Sequence, residues 1–142
     1  MLAATSDTGG TMIAGRRSGR RRPRGKVSHV DVSVTNAPDG AAVVAVGGEV
    51  DVYSAPTLKE QFVGLVRAGS ATLVVDLTGV TFLDSTGLGA LVEARALTGD
   101  AGGSLSIVCT HERILKLFTI TGLDGVFAIY PTVDAALAAA QA

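Results

Sequence analysis

The sequence has 142 residues, of which 47% are apolar and 4% aromatic, so we expect one domain with a core of aliphatic side chains. Apolar runs such as residues 41–46 are too short to cross a bilayer, and the first residues lack the apolar block of a secretory signal. A cytoplasmic protein with no transmembrane segment is therefore expected, and a single cysteine, Cys109, excludes an internal disulfide.

The net charge of −1 conceals two segments of opposite sign. Residues 1–26 carry a net charge of +6, because they contain six arginines and Lys26 but a single acidic residue, Asp7. The rest of the chain carries a net charge of −7. Poor in apolar side chains, residues 1–27 are expected to form a disordered basic arm, followed by a folded domain at 28–142. The arm could contact RNA, anionic lipid or the acidic domain, or could be inert or lie before the true start. The acidic domain itself is not expected to bind DNA directly.

The first half of the sequence predicts a β-hairpin followed by a helix and a strand. Valines alternate with polar residues from Val30, and turn residues at 38–40 lead into an apolar run. Ser54 is expected to cap the first helix, because an apolar stripe at helical spacing follows it. The predicted elements are strands over 30–34, 41–48 and 72–76 and a helix that ends near Gly69 and buries Leu58, Phe62, Leu65 and Val66.

The second half alternates helices with strands. A helix beginning at Asp84 or Ser85, a strand over 104–109, a helix ending near Gly122, a strand over 126–130 and a helix capped by Thr132 follow in that order. The order ββαβαβαβα predicts an α/β domain, with a mostly parallel five-stranded sheet entered by an antiparallel hairpin and sheltered by four helices. Expected core residues of these helices are Leu88, Leu91, Val92, Ala96, Ile114, Leu115, Phe118, Val133, Ala136, Leu137 and Ala140.

Polar side chains follow three of the predicted parallel strands. In sheets of this kind, functional groups gather beyond the carboxyl ends of the strands, so we expect the three loops to share one edge. Glycines in these loops would allow another surface to approach closely. The loop residues are Glu49, Asp51 and Tyr53, then Asp84 and Ser85, then Thr110, His111 and Glu112.

The stretch FLDSTGLG at 82–89 places a hydroxyl and a carboxylate at the start of a helix. Such a position exposes unpaired N–H groups and the positive end of the helix dipole. Ser85 or Asp84 can therefore cap its own helix, or the position can hold a phosphate. The residues alone leave both interpretations open.

Enzymatic chemistry finds little support in the residues. Asp51 with Asp84, or Ser85 with His111, could be drawn as catalytic groups, but the GxSxG motif is absent and the domain has few cations to stabilise an oxyanion. His29 and His111 are isolated, so no metal site is expected. No Walker or GxGxxG sequence is present, so no cofactor is expected and the protein is interpreted as a non-enzyme.

Three blocks together resemble the STAS domain of bacterial anti-sigma factor antagonists, nearest to the general-stress-response branch. They are GEVDVYSAPTLKEQ at 48–61, FLDSTGLG at 82–89 and FTITGL at 118–123. The resemblance runs from Val30 to near the C-terminus and leaves the basic arm outside the family pattern. It implies a single STAS-type fold.

The resemblance also implies a mechanism of partner switching. The unmodified protein would bind an anti-sigma factor that is a serine kinase and so free a sigma factor for transcription. Phosphorylation of Ser85 would break this binding, and a serine phosphatase would reset it. Thr86 is the rival acceptor, and the carboxylate of Asp51 would support phosphorylation. The partner would dock over the helix end, with Asp51, Tyr53, Ser54, Asp84, Ser85, Thr86, Gly87 and Leu88 as contact residues.

An alternative keeps the fold and removes the switch. A STAS domain can serve as a fixed adaptor subunit of a membrane transport ATPase, and basic residues in the arm would suit a position near a membrane. Against this alternative, the whole Asp-Ser-Thr-Gly block, residues 84–87, is intact, which a constitutive adaptor would not need.

Overall fold

The computed structural model describes residues 29–141, and the predicted basic arm lies outside this range. Within it, five strands follow one another across a single sheet in chain order. The first pair is antiparallel and the other three pairs are parallel, as the sequence predicts. The strands are β1 (Val30–Asn36), β2 (Ala41–Val50), β3 (Thr72–Leu83), β4 (Ser104–Val108) and β5 (Ala128–Tyr130).

Four helices of the described chain cover the two faces of this sheet unequally. The first three pack with the strands into one large apolar cluster, whereas the last helix packs on the other face through a small cluster around Ala136, Val74 and Val108. Phe118 and Phe127 meet edge to face in the large cluster, with ring centroids 5.7 Å apart. The helices are α1 (Ala55–Arg67), α2 (Ser85–Asp100), α3 (Glu112–Thr121) and α4 (Val133–Ala140).

Strands β2 and β3 are longer than the predicted 41–48 and 72–76. Parallel pairing continues to Val50 and Leu83 through two register shifts in β2, between Ala45 and Gly47 and between Gly48 and Glu49. Polar residues and glycines interrupt the apolar pattern here, so the sequence suggested a loop where the ladder in fact continues. At the other end of the sheet, β5 begins two residues later than predicted, because a 3₁₀ turn at Leu123–Gly125 precedes it.

The prediction was wrong for three core positions. Val92 and Ala96 are exposed, because α2 turns its small residues toward the sheet and buries Gly87, Ala90 and Ala94 with Leu88 and Leu91. Close packing against the sheet, rather than hydrophobicity alone, sets this rotation. Ala140, in the last turn of α4, is also exposed. Leu65, Val66, Leu115, Val133 and Leu137 are partly buried, and the other predicted core residues of the helices are buried.

Cys109 is 3% exposed, and its thiol donates to the His111 carbonyl at 3.8 Å. Burial raises the pKa of the Cys109 thiol from its ordinary value of 9.0; the hydrogen bond to His111 lowers it in part, and the charge of Asp76 raises it further. The neutral thiol is therefore favoured in the fold. The stability that the neutral thiol contributes is fully present below pH 9.0 and is lost as the pH rises above that value.

We expect the Cys109 thiol to react slowly with iodoacetamide in the native chain at pH 8, because the thiolate is the reactive form and is both rare and covered. The rate should rise steeply in denaturant, and mass spectrometry at fixed times measures both rates. Equal rates in native and denatured chains would show that the thiol is accessible.

Candidate functional site

The loop between β2 and α1 is held together by Asp51 and Ser54. The Asp51 carboxylate accepts hydrogen bonds from the backbone N–H groups of Tyr53 and Ser54 at 2.9 and 3.2 Å. In return, the Ser54 hydroxyl accepts from the Asp51 N–H at 3.0 Å and donates to the Glu49 carbonyl at 2.6 Å. These reciprocal bonds fix the direction in which the loop leaves the sheet.

Ser54 stands at the N-cap position of α1, but the prediction that its side chain caps the helix was wrong. Its backbone is already in the helical region, with φ −100° and ψ −19°, and its hydroxyl bonds back to the end of β2 instead of forward to α1. The residue is 4% exposed. Ser54 therefore positions the loop. Its side chain is buried and is not exposed to a partner that docks on this surface.

Asp84, and not Ser85, is the N-cap of α2. Its carboxylate accepts from the N–H groups of Thr86 and Gly87 at 2.9 and 3.1 Å, and its backbone is extended. Ser85 is the first residue of the helix and is exposed, as is Thr86. Both residues are thus exposed, and residue exposure does not distinguish between them as phosphate acceptors.

A backbone bond joins the two loops. The Asp84 N–H donates to the Val50 carbonyl at 3.2 Å, so the start of α2 sits directly against the end of β2, one residue before Asp51. Gly87 makes this approach possible, because a Cβ at that position would stand 2.8 Å from both the Val50 carbonyl oxygen and a Val50 methyl group. Gly87 is buried at this contact and Leu88 in the large apolar cluster, so neither of these predicted contact residues is exposed to a partner.

The exposed part of the site combines hydroxyls, carboxylates and apolar side chains. Tyr53, a predicted contact residue, is 72% exposed and lies two residues after half-buried Asp51. Val52 and Phe82, which are 56% and 48% exposed, were not among the predicted contact residues. Both residues lie close to the loop acids in the sequence and belong to no apolar stripe of helical or strand spacing. This position could have identified them as exposed contact residues. Aromatic side chains such as Tyr53 and Phe82 are enriched at protein-binding surfaces.

The third predicted loop begins earlier along the parallel ladder than the second. Strand β4 ends at Val108 opposite Asp76, whereas β3 continues to Leu83 before α2 begins. The loop of Thr110, His111 and Glu112 therefore leaves the sheet seven residues short of the end of β3. There His111 caps α3 by accepting from the Arg113 N–H at 3.3 Å. Because the three strands are parallel, all three loops leave from the carboxyl edge of the sheet, as expected, and a backbone hydrogen bond joins the first two.

Over residues 29–141, no three His, Cys, Asp or Glu side chains lie close enough to hold a metal ion. Across the same range, none of the helices combines the length and the apolar character needed to span a membrane.

Comparison with a family model identifies the family of this domain. The family model described as STAS domain matches residues 30–136. The chain belongs to the STAS domain family. This confirms the family that the three sequence blocks predicted, and the match covers both loops of the site.

Relatives place this STAS domain among the anti-sigma factor antagonists. The anti-sigma-B factor antagonist of Bacillus subtilis (strain 168) is 44% identical over 86 residues, which make up 61% of this chain and 78% of that protein. The crystal structure of an anti-sigma factor antagonist from Mycobacterium paratuberculosis has a TM-score of 0.73 at 33% identity and covers 80% of this chain and 96% of its own.

A more distant structure shares the fold alone. The phosphorylated form of the Bacillus cell fate determinant SpoIIAA has a TM-score of 0.61 at 16% identity, and the match covers 75% of this chain and 96% of that one.

Proposed function

We propose that this STAS domain binds an anti-sigma factor with serine kinase activity while unmodified, and releases it when Ser85 is phosphorylated. The observation that carries the proposal is that Ser85 is exposed at the first residue of α2, directly after the cap Asp84, whose N–H is bonded to the end of β2 next to Asp51. A protein of the same fold, SpoIIAA, has been solved in a phosphorylated form, which supports a phosphoryl group on this scaffold.

In the free domain, the phosphoryl group is expected to be tolerated. It adds about −1.5 to −2 charges at the positive end of the α2 dipole, which favours it, and next to Asp84, which disfavours it. Asp84 already holds the Thr86 and Gly87 N–H groups, so the phosphate must compete for them or stay in solvent. Because these effects oppose each other at an exposed position, the change in folding stability should be small.

Under a docked partner, the same group is unfavourable. Docking over Tyr53 and the start of α2 would remove the dianion from water beside Asp84, and a buried uncompensated charge costs several kcal/mol in order of magnitude. Since about 1.4 kcal/mol corresponds to a tenfold change in affinity, two or three such steps convert tight binding into none.

Release of the anti-sigma factor would then inhibit the sigma factor, and a serine phosphatase would restore the binding form. In this role the domain is a regulator of transcription without catalysis of its own, acting in the cytoplasm. The disorder of residues 1–27, the cytoplasmic location and the action of a serine phosphatase remain predictions.

Ser85 is proposed as the acceptor ahead of Thr86 because it occupies the acceptor position of the family block. Incubation with the cognate kinase and ATP, followed by phosphopeptide mapping, tests this assignment. We expect phosphate on Ser85, and modification of Thr86 with Ser85 untouched would overturn it.

The partner class is tested by capture from the native cell. The full chain and its Ser85→Glu variant are each used as bait, and bound proteins are identified by mass spectrometry. An anti-sigma factor kinase that is retained by the wild-type chain and lost by the variant is the expected result. Transporter subunits retained by both baits would contradict the switch and favour the alternative, an adaptor of a membrane transport ATPase.

For Asp51→Asn we expect slower phosphorylation of Ser85 and an intact fold. The asparagine side-chain oxygen can still accept from the Tyr53 and Ser54 N–H groups, whereas the negative charge next to the docking surface is lost. Single-turnover phosphorylation and a thermal melt measure the two effects. A large drop in melting temperature with an unchanged rate would show that Asp51 acts only on the fold.

A further inference from the structure

Within residues 29–141, the helices leave part of one sheet face uncovered. Helices α1–α3 cover the opposite face, and α4 covers only the part around Val74 and Val108. The uncovered part forms a groove of ≈ 310 Å³ whose floor is made of small residues such as Ala45, Gly47 and Gly79. The register of β2 with β3 places Glu49 and Phe82 on the same side, at the end near Ser85. We call this surface the open face; it comprises Asp31, Ser33, Ala45, Gly47, Glu49, Asp76, Gly79 and Phe82.

Among the described residues that form the open face, the charged side chains are carboxylates. It carries the carboxylates of Asp31, Glu49 and Asp76. Every lysine and arginine of residues 29–141 lies on α1, α2 or α3, on the other side of the sheet. Asp31 contacts His29 at 2.7 Å and Asp76 accepts from the Thr78 N–H at 3.0 Å, but a carboxylate has room for further donors. Apart from a protonated His29, a cation that neutralises these carboxylates would come from outside residues 29–141.

The entry point of the chain identifies the source of these cations. β1 is the edge strand, and the residues before it carry +6. The His29 carbonyl accepts from the Glu49 N–H at 2.8 Å, which fixes the start of the described chain to the end of the open face next to Glu49. We propose that the basic segment 16–26 of this chain docks on its own open face, with its arginines on Asp31, Glu49 and Asp76.

Reach and chemistry both fit this occupant. Neighbouring strands are about 4.8 Å apart, so the groove between β1 and β3 is about 10 Å across, and an extended chain spans about 3.3 Å per residue. Arg24 and Lys26 therefore reach the nearest carboxylates, and Arg20 reaches the far side. Arginine also stacks on aromatic rings, and Phe82, 48% exposed, is available at the end near Ser85. The small residues of the floor leave room for a main chain to lie against the sheet.

Paramagnetic relaxation in the full-length chain tests the docking. A nitroxide is attached at Ser18→Cys, which keeps every basic residue, and covered Cys109 serves as an internal check on selective labelling. The reference chain carries the same label with all seven basic residues of the segment changed to Gln, so it reports the effect of tethering alone. Relaxation is compared at the Gly47 and Gly79 amides, with the Gly64 and Gly99 amides of α1 and α2 as internal controls.

We expect relaxation at Gly47 and Gly79 to be at least about threefold greater in the basic chain than in the reference at low salt. The difference should vanish near 1 M salt, where the screening length is about 3 Å. The double variant Asp31→Asn with Glu49→Gln should reduce it, whereas Glu60→Gln with Asp100→Asn, two exposed acids on α1 and α2, should not. Equal relaxation in the basic and reference chains would overturn the proposal. The basic residues of the segment would then be available to bind an outside anion, such as RNA or anionic lipid.

Discussion

A glutamate at position 85 is expected to weaken binding of the anti-sigma factor kinase by about 100-fold or more, whereas Ser85→Ala should bind as tightly as the wild-type chain. The carboxylate imitates part of the phosphoryl charge, and it would be buried beside Asp84, whose own oxygen is already committed to the start of α2. Alanine removes the acceptor hydroxyl without adding charge. The Ser85→Ala chain should therefore stay bound even in the presence of ATP.

A charge placed elsewhere provides the matched control. Ser104 is exposed at the amino end of β4, away from the carboxyl end of β3 that leads to Ser85, so Ser104→Glu changes the net charge by the same amount without touching the site. Isothermal titration with the kinase should give wild-type affinity for this control. A loss of affinity equal to that of Ser85→Glu would mean that net charge, and not the position at α2, governs binding.

Gly87→Ala is expected to lower the free energy of unfolding by about 1–3 kcal/mol, as overpacking of a close contact does. The added Cβ would stand 2.5 Å from a Leu83 methyl group and 2.8 Å from the Val50 carbonyl oxygen, and the backbone atom cannot rotate away. Relief requires α2 to move off the end of β2, which would break the bond from the Asp84 N–H to the Val50 carbonyl. The loss should therefore affect partner binding as well as stability.

Gly89, two residues further along α2, is the control for this substitution. A Cβ there would have no atom within 4 Å, so Gly89→Ala should stabilise the domain by up to about 1 kcal/mol through helix propensity. Urea unfolding of both variants measures the change in the free energy of unfolding, which should have opposite signs for the two substitutions. If Gly87→Ala were as stable as Gly89→Ala, the close contact between α2 and β2 would not exist in solution.

The order of the elements could be predicted because each one carries its own signal. Apolar runs give the inner strands, and Gly122 ends α3 in the left-handed conformation with φ +78°. The rotation of α2 could not be predicted, because Val92 and Leu88 are equally apolar and only the fit of Ala90 and Ala94 against the sheet decides between the two faces.

The site was predicted in part. Local chemistry indicated that a cap stands at Asp84 or Ser85, but only the structure shows that the Asp84 carboxylate takes the N–H groups and leaves Ser85 at the surface. The earlier exit of the His111 loop depends on the register of β4 with β3, which is a contact between distant residues that no local pattern encodes. Ser54 was misjudged for a similar reason, since its hydroxyl bonds to the Glu49 carbonyl across the loop.

The most direct test of the switch uses the phosphorylated chain itself. The domain is phosphorylated to completion, modification of Ser85 alone is verified by mass spectrometry, and the sample is titrated into the purified kinase with ADP so that no further transfer occurs. We expect binding at least about 100-fold weaker than that of the unmodified chain. Equal affinity of the two forms would contradict the account.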